Sequence, residues 1–345
     1  MSTQPKPIAS LSLDLDNKWS YLKTHGDAAW QSLPSYFPLL LPRVLDFLAA
    51  QQLTITFFVV GQDAAMHSHA ELLRAVSTAG HEIGNHSFHH EPWLHLYSEA
   101  QINNELAQTE EYLIGATGQK PVGFRGPGYS CSEATLRVLA HRGYRYDAST
   151  LPTFIGPLAR LYYFMNARLS AAEKAERSKL FGTMADGLRP LHPYKWEIPG
   201  VITTKPLVEL PVTTMPLLRI PIHMSYLIYL SARSPALALT YWRLALTFCR
   251  YGGLQPSLLL HPLDFMGKED DADLAFFPGI AMARERKLAF VSQALAIYTR
   301  RFRVVTMQEH ARHAAADPRL PLVDAQASFA HLPVAQSVPS SVVPR

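Results

Sequence analysis

Residues 80–90 read GHEIGNHSFHH, and this stretch indicates how the chain is organised. Gly80 ends a helical pattern, and a short strand, His81–Asn85, delivers His86 at its end. His90 follows four residues later, a spacing that places two imidazoles on one face of a helical turn, roughly 5–6 Å apart at Cβ. Such a pair suits Zn²⁺ or a similar divalent cation, and a catalytic site needs a third protein ligand with one position left open. Residues 80–90 therefore predict part of a metal centre.

The strongest candidates for the third ligand lie near the N-terminus, in SLSLDLD at Ser10–Asp16. Leucines alternate there with Ser12, Asp14 and Asp16, and a period of two places both carboxylates on the same side of a strand. Two like charges so close repel each other. A metal bound by one of them removes that penalty and leaves the other ionised and available as a base. The alternative, a solvated strand end, is a poor setting for two aspartates in an apolar run.

Helical and strand patterns alternate around these two stretches. Leu39–Gln51 has helical spacing, Leu53–Val60 is a β-branched and aromatic strand, and Ala64–Ala79 and Ser98–Gly118 are again helical. Alternation over this length indicates parallel βαβ units. The candidate functional residues follow successive strands, which favours a (β/α) barrel with its active site at the C-terminal strand ends.

Five short motifs lie in order between Leu11 and His261, over roughly three-quarters of the chain. They are Asp-Leu-Asp at 14–16, His-Ser-Phe-His-His at 86–90, Phe-Arg-Gly-Pro-Gly-Tyr at Phe124–Tyr129, Tyr-Asp-Ala-Ser at Tyr146–Ser149 and Leu-Leu-Leu-His at Leu258–His261. The set resembles the ordered motifs of the polysaccharide deacetylases, the family 4 carbohydrate esterases. The resemblance implies a hydrolase of linear amide C–N bonds on a distorted (β/α) barrel.

The resemblance also implies a ligand set and a base. Asp16, His86 and His90 correspond to the metal ligands, most simply for Zn²⁺, and Asp14 to the base. The most familiar first motif has adjacent aspartates, whereas a leucine separates them here, as in a subgroup that acts on atypical amides. The roles of Asp14 and Asp16 are therefore open to exchange. His89 is the rival of His90, because a one-residue error in the turn would exchange them.

The remaining motifs imply the other parts of an amide hydrolase. Arg125 corresponds to the arginine that orients the base, and His261 to the acid that protonates the departing amine. A backbone N–H of Gly128 or Tyr129 is expected to face the oxyanion, and the sequence leaves the choice open.

Two further carboxyl groups complete the expected substrate and oxyanion side. Asp147 is the recognisable residue of the fourth motif, which lacks the tryptophan expected of chitin and peptidoglycan deacetylases. Glu209 is the nearest candidate for a carboxylate that tunes His261, and a surface glutamate at a strand end is the alternative. The missing tryptophan argues against a polymer substrate.

The composition describes a globular protein with a large core: 345 residues, 48% hydrophobic and 17% charged. The net charge of +4 is scattered, so no basic run favours nucleic acid. Cys131 and Cys249 are expected to be buried small side chains rather than a disulfide or thiolate site.

The domain organisation is expected to comprise a flexible tail at 1–9, one barrel at 10–312 and a tail at 313–345 that need not pack. The barrel carries an insertion at about 154–200, with a charged helix at Ala167–Phe181 and an irregular piece at Pro190–Pro199. Residues 1–9 are short and polar, without a secretory pattern, so we expect a cytoplasmic protein.

These observations predict a metal-dependent hydrolase that removes an N-acyl group, in the first instance acetyl, from an amino sugar or glycan. One alternative is a deformylase or deacetylase of a lipid-linked amino sugar at the membrane surface. It draws on Leu217–Tyr251, which is apolar over more than one helical face, carries four arginines and is expected either to be core or to meet the inner face of a membrane through Tyr241 and Trp242. A non-catalytic carbohydrate-binding relative is the alternative of another class.

Overall fold

A mostly parallel sheet forms the centre of the computed structural model, which describes residues 5–154, 184–203, 205–277 and 279–330. The strands of these residues are β1 Ile8–Leu15, β2 Thr56–Val59, β3 Glu82–Asn85, β4 Gly123–Phe124, β5 Tyr146–Asp147, β6 Tyr194–Glu197, β7 Val208–Glu209, β8 Ser257–Leu260, β9 Arg303–Val305 and β10 Leu322–Asp324.

The strand order is β10-β6-β7-β5-β4-β3-β2-β1-β8, and β9 also pairs with β1. All pairs are parallel except β6 with β7. Every residue of β1 is buried, as expected of a central strand covered on both faces. The predicted α/β class with parallel βαβ units is confirmed.

Helices cover the sheet and follow the predicted alternation. The longest helix of the described residues is Glu99–Thr117. Ser98 caps its N-terminus by a reciprocal capping box with Gln101, and Gly118 ends it in the left-handed conformation. The α-helices of the described residues are α1 Lys18–His25, α2 Phe37–Ala50, α3 Gly61–Ala64, α4 Ala70–Thr78, α5 Glu99–Thr117, α6 Glu133–His141, α7 Met224–Arg233, α8 Pro235–Tyr251, α9 Arg284–Arg301, α10 Met307–Ala315 and α11 Ala325–Phe329.

The register of the strands places their carboxyl ends on one level. Leu15 pairs with Val59, Val59 with Asn85, Asn85 with Phe124, and Phe124 with Asp147. Parallel strands end at the same edge of a sheet, so the residues that follow this row are brought together. The site is built on that edge.

The predicted tails and insertion differ from the structure in three places. Ile8 already belongs to β1, so the predicted tail at 1–9 is too long. Residues 194–197, within the piece predicted to be irregular, form β6, because they pair with both β7 and β10. Residues 313–330 do not form an unpacked tail, since α11 buries Ala325 and Phe329 in the cluster that holds Trp196. The predicted helix at 167–181 and residues 331–345 lie outside the described residues.

Leu217–Tyr251 contains two helices, α7 and α8, joined at Ser234. Trp242 is buried and donates its Nε1 hydrogen to the carbonyl of Ala294, so of the two alternatives left open for this residue, core and membrane-facing, it is core. Within the described parts of the chain, no helix combines the length and apolarity required to cross a bilayer.

Candidate active site

The ends of β1 and β3 bring together three groups that are able to hold a cation. Oδ1 of Asp16 lies 3.0 Å from Nε2 of His90 and 3.4 Å from Nε2 of His86. The three donor atoms all lie within 4.8 Å of one another, and no second group of this kind occurs among the described residues. Two nitrogens and a carboxylate oxygen are a donor set that Zn²⁺ accepts while leaving one position open.

The hydrogen bonding of His86 shows why this cluster fits a metal. Nδ1 of His86 lies 2.6 Å from the carbonyl oxygen of Arg125, which only accepts, so Nδ1 carries the proton. Nε2 of His86 is therefore the nitrogen that faces Asp16 Oδ1, which is buried and has no partner of hydrogen-bond geometry, and in the neutral ring this nitrogen offers a lone pair to a metal. Facing lone pairs need a cation between them, and the donor set therefore fits a divalent metal.

The loop at 86–90 corrects the predicted helical turn. Ser87 and His90 have φ of 60° and 53°, in the left-handed region, and the chain forms no helix there. Glu105 of α5 accepts hydrogen bonds from the backbone N–H groups of Phe88 and His89 and lies 2.5 Å from Nδ1 of His89. This carboxylate holds the loop so that His90 faces Asp16 and His89 faces away from the cluster.

Asp14 lies beside the cluster and is fixed by a buried arginine. Nη1 of Arg125 is 2.6 Å from Oδ1 of Asp14 and also donates to Ser12 Oγ, while Nε donates to the carbonyl of Ala148. The guanidinium is completely buried, 4.4 Å above the ring of Phe58. Because the bond to this buried guanidinium lies out of water, the Asp14 carboxylate is held in one orientation, as a base requires.

His261 follows β8, which pairs with β1 on the side away from β2, and is supported by two residues that the sequence reasoning missed. Oδ2 of Asp264 accepts from the backbone N–H of His261 at 2.8 Å, and Oδ1 accepts from Ser225 Oγ at 2.8 Å. Ser225 Oγ lies 3.2 Å from Nδ1 of His261. Since the hydroxyl gives its one hydrogen to the carboxylate, it accepts from Nδ1, and Nε2 stays available for proton transfer.

Asp264 therefore takes the place that was predicted for Glu209. A signal existed in the sequence, because Asp264 stands three residues after His261 in His-Pro-Leu-Asp, the spacing of a side chain that reaches back to cap a helical turn. Ser225 gave no comparable signal, since it is one serine in an apolar helix.

The turn at Pro127–Tyr129 contains the two predicted backbone donors. Gly128 and Tyr129 have φ of 59° and 62°, both left-handed, and the N–H of Tyr129 donates to the carbonyl of Gly126. Of the two predicted donors, the N–H of Gly128 is therefore the one left for an oxyanion.

Asp147 and Glu209 do not contact substrate, because both are completely buried partners across β5 and β7. Glu209 accepts from the backbone and hydroxyl of Thr150 and from Trp196 Nε1, and not from His261. Burial and the charge of Glu209 raise the pKa of Asp147 well above its usual value, so this carboxyl keeps a proton.

The role of Asp147 is to hold the oxyanion turn from behind. Its Oδ1 accepts from Ser149 Oγ at 2.5 Å, and Ser149 Oγ accepts from the N–H of Gly126 at 2.8 Å. Asp147 is thus linked to the turn through Ser149, whereas Glu209 is bonded to Thr150 and Trp196.

Comparison with known proteins agrees with this geometry. Residues 27–146 match the family model described as polysaccharide deacetylase. The chain is 38% identical over 105 residues to the peptidoglycan-N-acetylmuramic acid deacetylase PdaA of Bacillus subtilis (strain 168), covering 30% of this chain and 39% of that protein. It is 35% identical over 80 residues to a chitooligosaccharide deacetylase of Rhizobium leguminosarum bv. trifolii, covering 23% of this chain and 36% of that protein. The resemblance stated from the motifs is confirmed over this part of the chain.

Two crystal structures share the fold over almost the whole length. A protein of Mycobacterium smegmatis assigned to the polysaccharide deacetylases superposes with a TM-score of 0.58 at 23% identity, covering 93% of this chain and 94% of that one. A second, from Pseudomonas aeruginosa PAO1, gives 0.54 at 18% identity, covering 90% and 91%. At these identities the likeness shows the fold alone.

Proposed function

We propose that this chain is a metal-dependent hydrolase that removes an N-acyl group, in the first instance acetyl, from an amino sugar or glycan. The observation that carries the proposal is the convergence of Asp16, His86 and His90 beside an arginine-locked Asp14 and opposite His261. The names of the relatives support the chemical class, since PdaA acts on N-acetylmuramic acid of peptidoglycan. A divalent cation held by the triad, Zn²⁺ by its donor set, would polarise the amide carbonyl and make a bound water acidic.

The chain's own groups supply the proton transfers. Asp14 accepts the proton of the attacking water, and Arg125 keeps that carboxylate in place. The N–H of Gly128 donates to the carbonyl oxygen as negative charge develops on it. His261 then gives the proton on Nε2 to the departing amine, while Ser225 and Asp264 hold the imidazole ring from Nδ1.

A second candidate within the same chemistry is deacylation of a lipid-linked amino sugar at the membrane surface. It is favoured by an apolar cavity next to the acid side, whose wall includes Tyr226. The ring of Tyr226 lies 3.9 Å from that of His223, and the ring of His223 lies 5.5 Å from that of His261. An apolar aglycone is the kind of group that this neighbouring cavity accommodates.

The test is release of acid by the Zn²⁺-loaded protein before and after chelation. Acetate would be measured with oligomers of N-acetylglucosamine and with N-acetylmuramic acid glycan, and formate or acetate with lipid-linked N-acyl amino sugars. We expect chelator-sensitive release from at least one of these substrates. Sugar binding without release by the metal-loaded protein would favour a non-catalytic carbohydrate-binding relative instead.

A further inference from the structure

The charges of residues 210–263 are of one sign. This segment contains no aspartate, glutamate or lysine and carries four arginines, Arg219, Arg233, Arg243 and Arg250. None of the four takes part in a salt bridge within the described residues. Several lysines and arginines elsewhere in those residues do pair with carboxylates. The segment therefore presents positive charge that the protein itself does not neutralise.

The same segment exposes seven large apolar side chains, and five of them lie in the turn before α7, on α7 and at the start of α8. The exposed fractions are 73% for Leu217, 63% for Leu218, 45% for Tyr226, 52% for Tyr229 and 54% for Leu237. Single apolar residues on a surface are ordinary, whereas a contiguous group marks an interaction site. We call these five residues the apolar rim.

A cavity of about 330 Å³ lies between α7, α8 and the turn before α7, the same elements that carry the rim. Tyr226 belongs to both the rim and the cavity wall. Tyr229 lies one turn further along α7, and Leu237 lies one turn before Tyr241 on α8, on the same helical face as that wall residue. The cavity is lined by Ile220, Pro221, Tyr226, Leu227, Leu230 and Tyr241.

We propose that the apolar rim docks this protein onto an anionic lipid bilayer. Tyrosine and leucine side chains suit the boundary between headgroups and acyl chains, and Arg233, one turn beyond Tyr229, is placed to reach a phosphate. Residues 210–263 contain arginines and no carboxylate, so their charge is complementary to that of anionic lipids. An acidic side chain in this segment would be repelled by the lipid headgroups. The docked surface adjoins His261 through Tyr226 and His223, so the cleft would open beside the membrane.

The proposal is tested by flotation of the full chain with vesicles of phosphatidylglycerol and phosphatidylcholine at low and moderate salt. We expect binding to the phosphatidylglycerol vesicles that weakens with salt. Tyr229→Ser with Leu237→Ser should lower the partition coefficient more than about tenfold. Arg233→Gln with Arg243→Gln should lower it on the order of fivefold for each arginine that meets the headgroups. The control, Leu188→Ser with Ile202→Ser, changes two even more exposed apolar residues outside the segment and should bind like the wild type.

Three outcomes would overturn the proposal: a wild-type protein that never floats, a control variant that loses as much binding as the rim variant, or a rim that forms a dimer in solution by light scattering. Should the rim variant fail to fold by circular dichroism, the arginine variant and the salt series decide the question, because exposed arginines are not part of the core. None of these measurements requires turnover, so a failure here is distinct from a failure of the proposed hydrolase activity.

Discussion

Asp16, His86 and Arg125 follow strand ends that share one row of the sheet, and Asp14 is the last but one residue of β1. His261, by contrast, depends on Ser225, a side chain from a separate helix. On the metal and base side the backbone register places each group, and a buried arginine completes the set. On the acid side one hydroxyl bridges a carboxylate and an imidazole. Groups that a sheet positions move only if the sheet moves. We therefore expect substitutions on the metal and base side to abolish metal binding or activity, and substitutions on the acid side to lower activity by degrees.

The largest effect is expected for the metal ligands. Asp16→Ala and His90→Ala each remove one of three donors, so Zn²⁺ affinity should fall more than about a hundredfold, beyond the loss caused by residues that only orient a ligand. His89→Ala is the matched control, because His89 contacts Glu105 and should leave the metal in place. Elemental analysis and titration with Zn²⁺ measure the difference. Full occupancy in His90→Ala would contradict the ligand assignment.

Asp14→Asn should keep the metal and the fold but lower kcat about 10³-fold, because an amide does not accept the proton of water. Metal content and kcat are measured for both Asp14→Asn and Asp16→Asn. The variant that keeps the metal but loses kcat identifies the base, and the variant that loses the metal identifies the ligand. If Asp14→Asn loses the metal and Asp16→Asn retains it, the two roles are exchanged.

His261→Ala should lower kcat on an amide about 10²-fold, since an amine leaves poorly without a proton. Phenyl acetate provides the contrast, because phenolate leaves without help and its hydrolysis should hardly change. An equal loss on both substrates would mean that His261 positions substrate and is not the acid.

Ser225→Ala tests whether the acid side is graded. Loss of the hydroxyl leaves His261 in place but removes its contact with Nδ1, so kcat on an amide should fall only about tenfold, in keeping with one hydrogen bond. Ser231→Ala on the same helix is the control, since Ser231 Oγ donates only to the carbonyl of Ile228. A loss as large as that of His261→Ala would show that the two sides of the cleft are equally rigid.

The smallest expected effect is on the free energy of unfolding, and it comes from the titration of Asp63. Burial raises its pKa to about 7, although Asn17 and Trp19 donate hydrogen bonds to Oδ1. The folded protein holds this proton up to about pH 7, whereas the unfolded chain, with a pKa of 3.8, has released it, so stability falls as pH rises. Between pH 6 and 8 the loss is about 1 kcal/mol. Denaturant unfolding in the presence of chelator should show this slope in the wild type and in exposed Asp46→Asn, and not in Asp63→Asn.

The sequence predicted the metal and base side of the site more fully than the acid side, because strand positions are visible in a sequence and contacts between distant segments are not. Strands leave a local pattern in the sequence: Asp14 and Asp16 alternate with leucines at the end of β1, and His86 and Arg125 come directly after β3 and β4. Two features of the site left no such local pattern in the sequence. The loop that selects His90 over His89 depends on Glu105, fifteen residues downstream of His90, and the support of His261 depends on Ser225, thirty-six residues upstream.

The sequence by itself determined the α/β class, the order of the motifs and the residue types that meet at the strand ends, because alternating apolar periodicity and strand-end polarity are local properties. Only the tertiary structure decided that Gly128 is the free donor, that Asp147 and Glu209 are buried supports and that Trp242 is core while Tyr229 and Leu237 are exposed. Burial and hydrogen-bond partners depend on contacts between distant segments, and a side chain's role depends on which neighbours remove it from water.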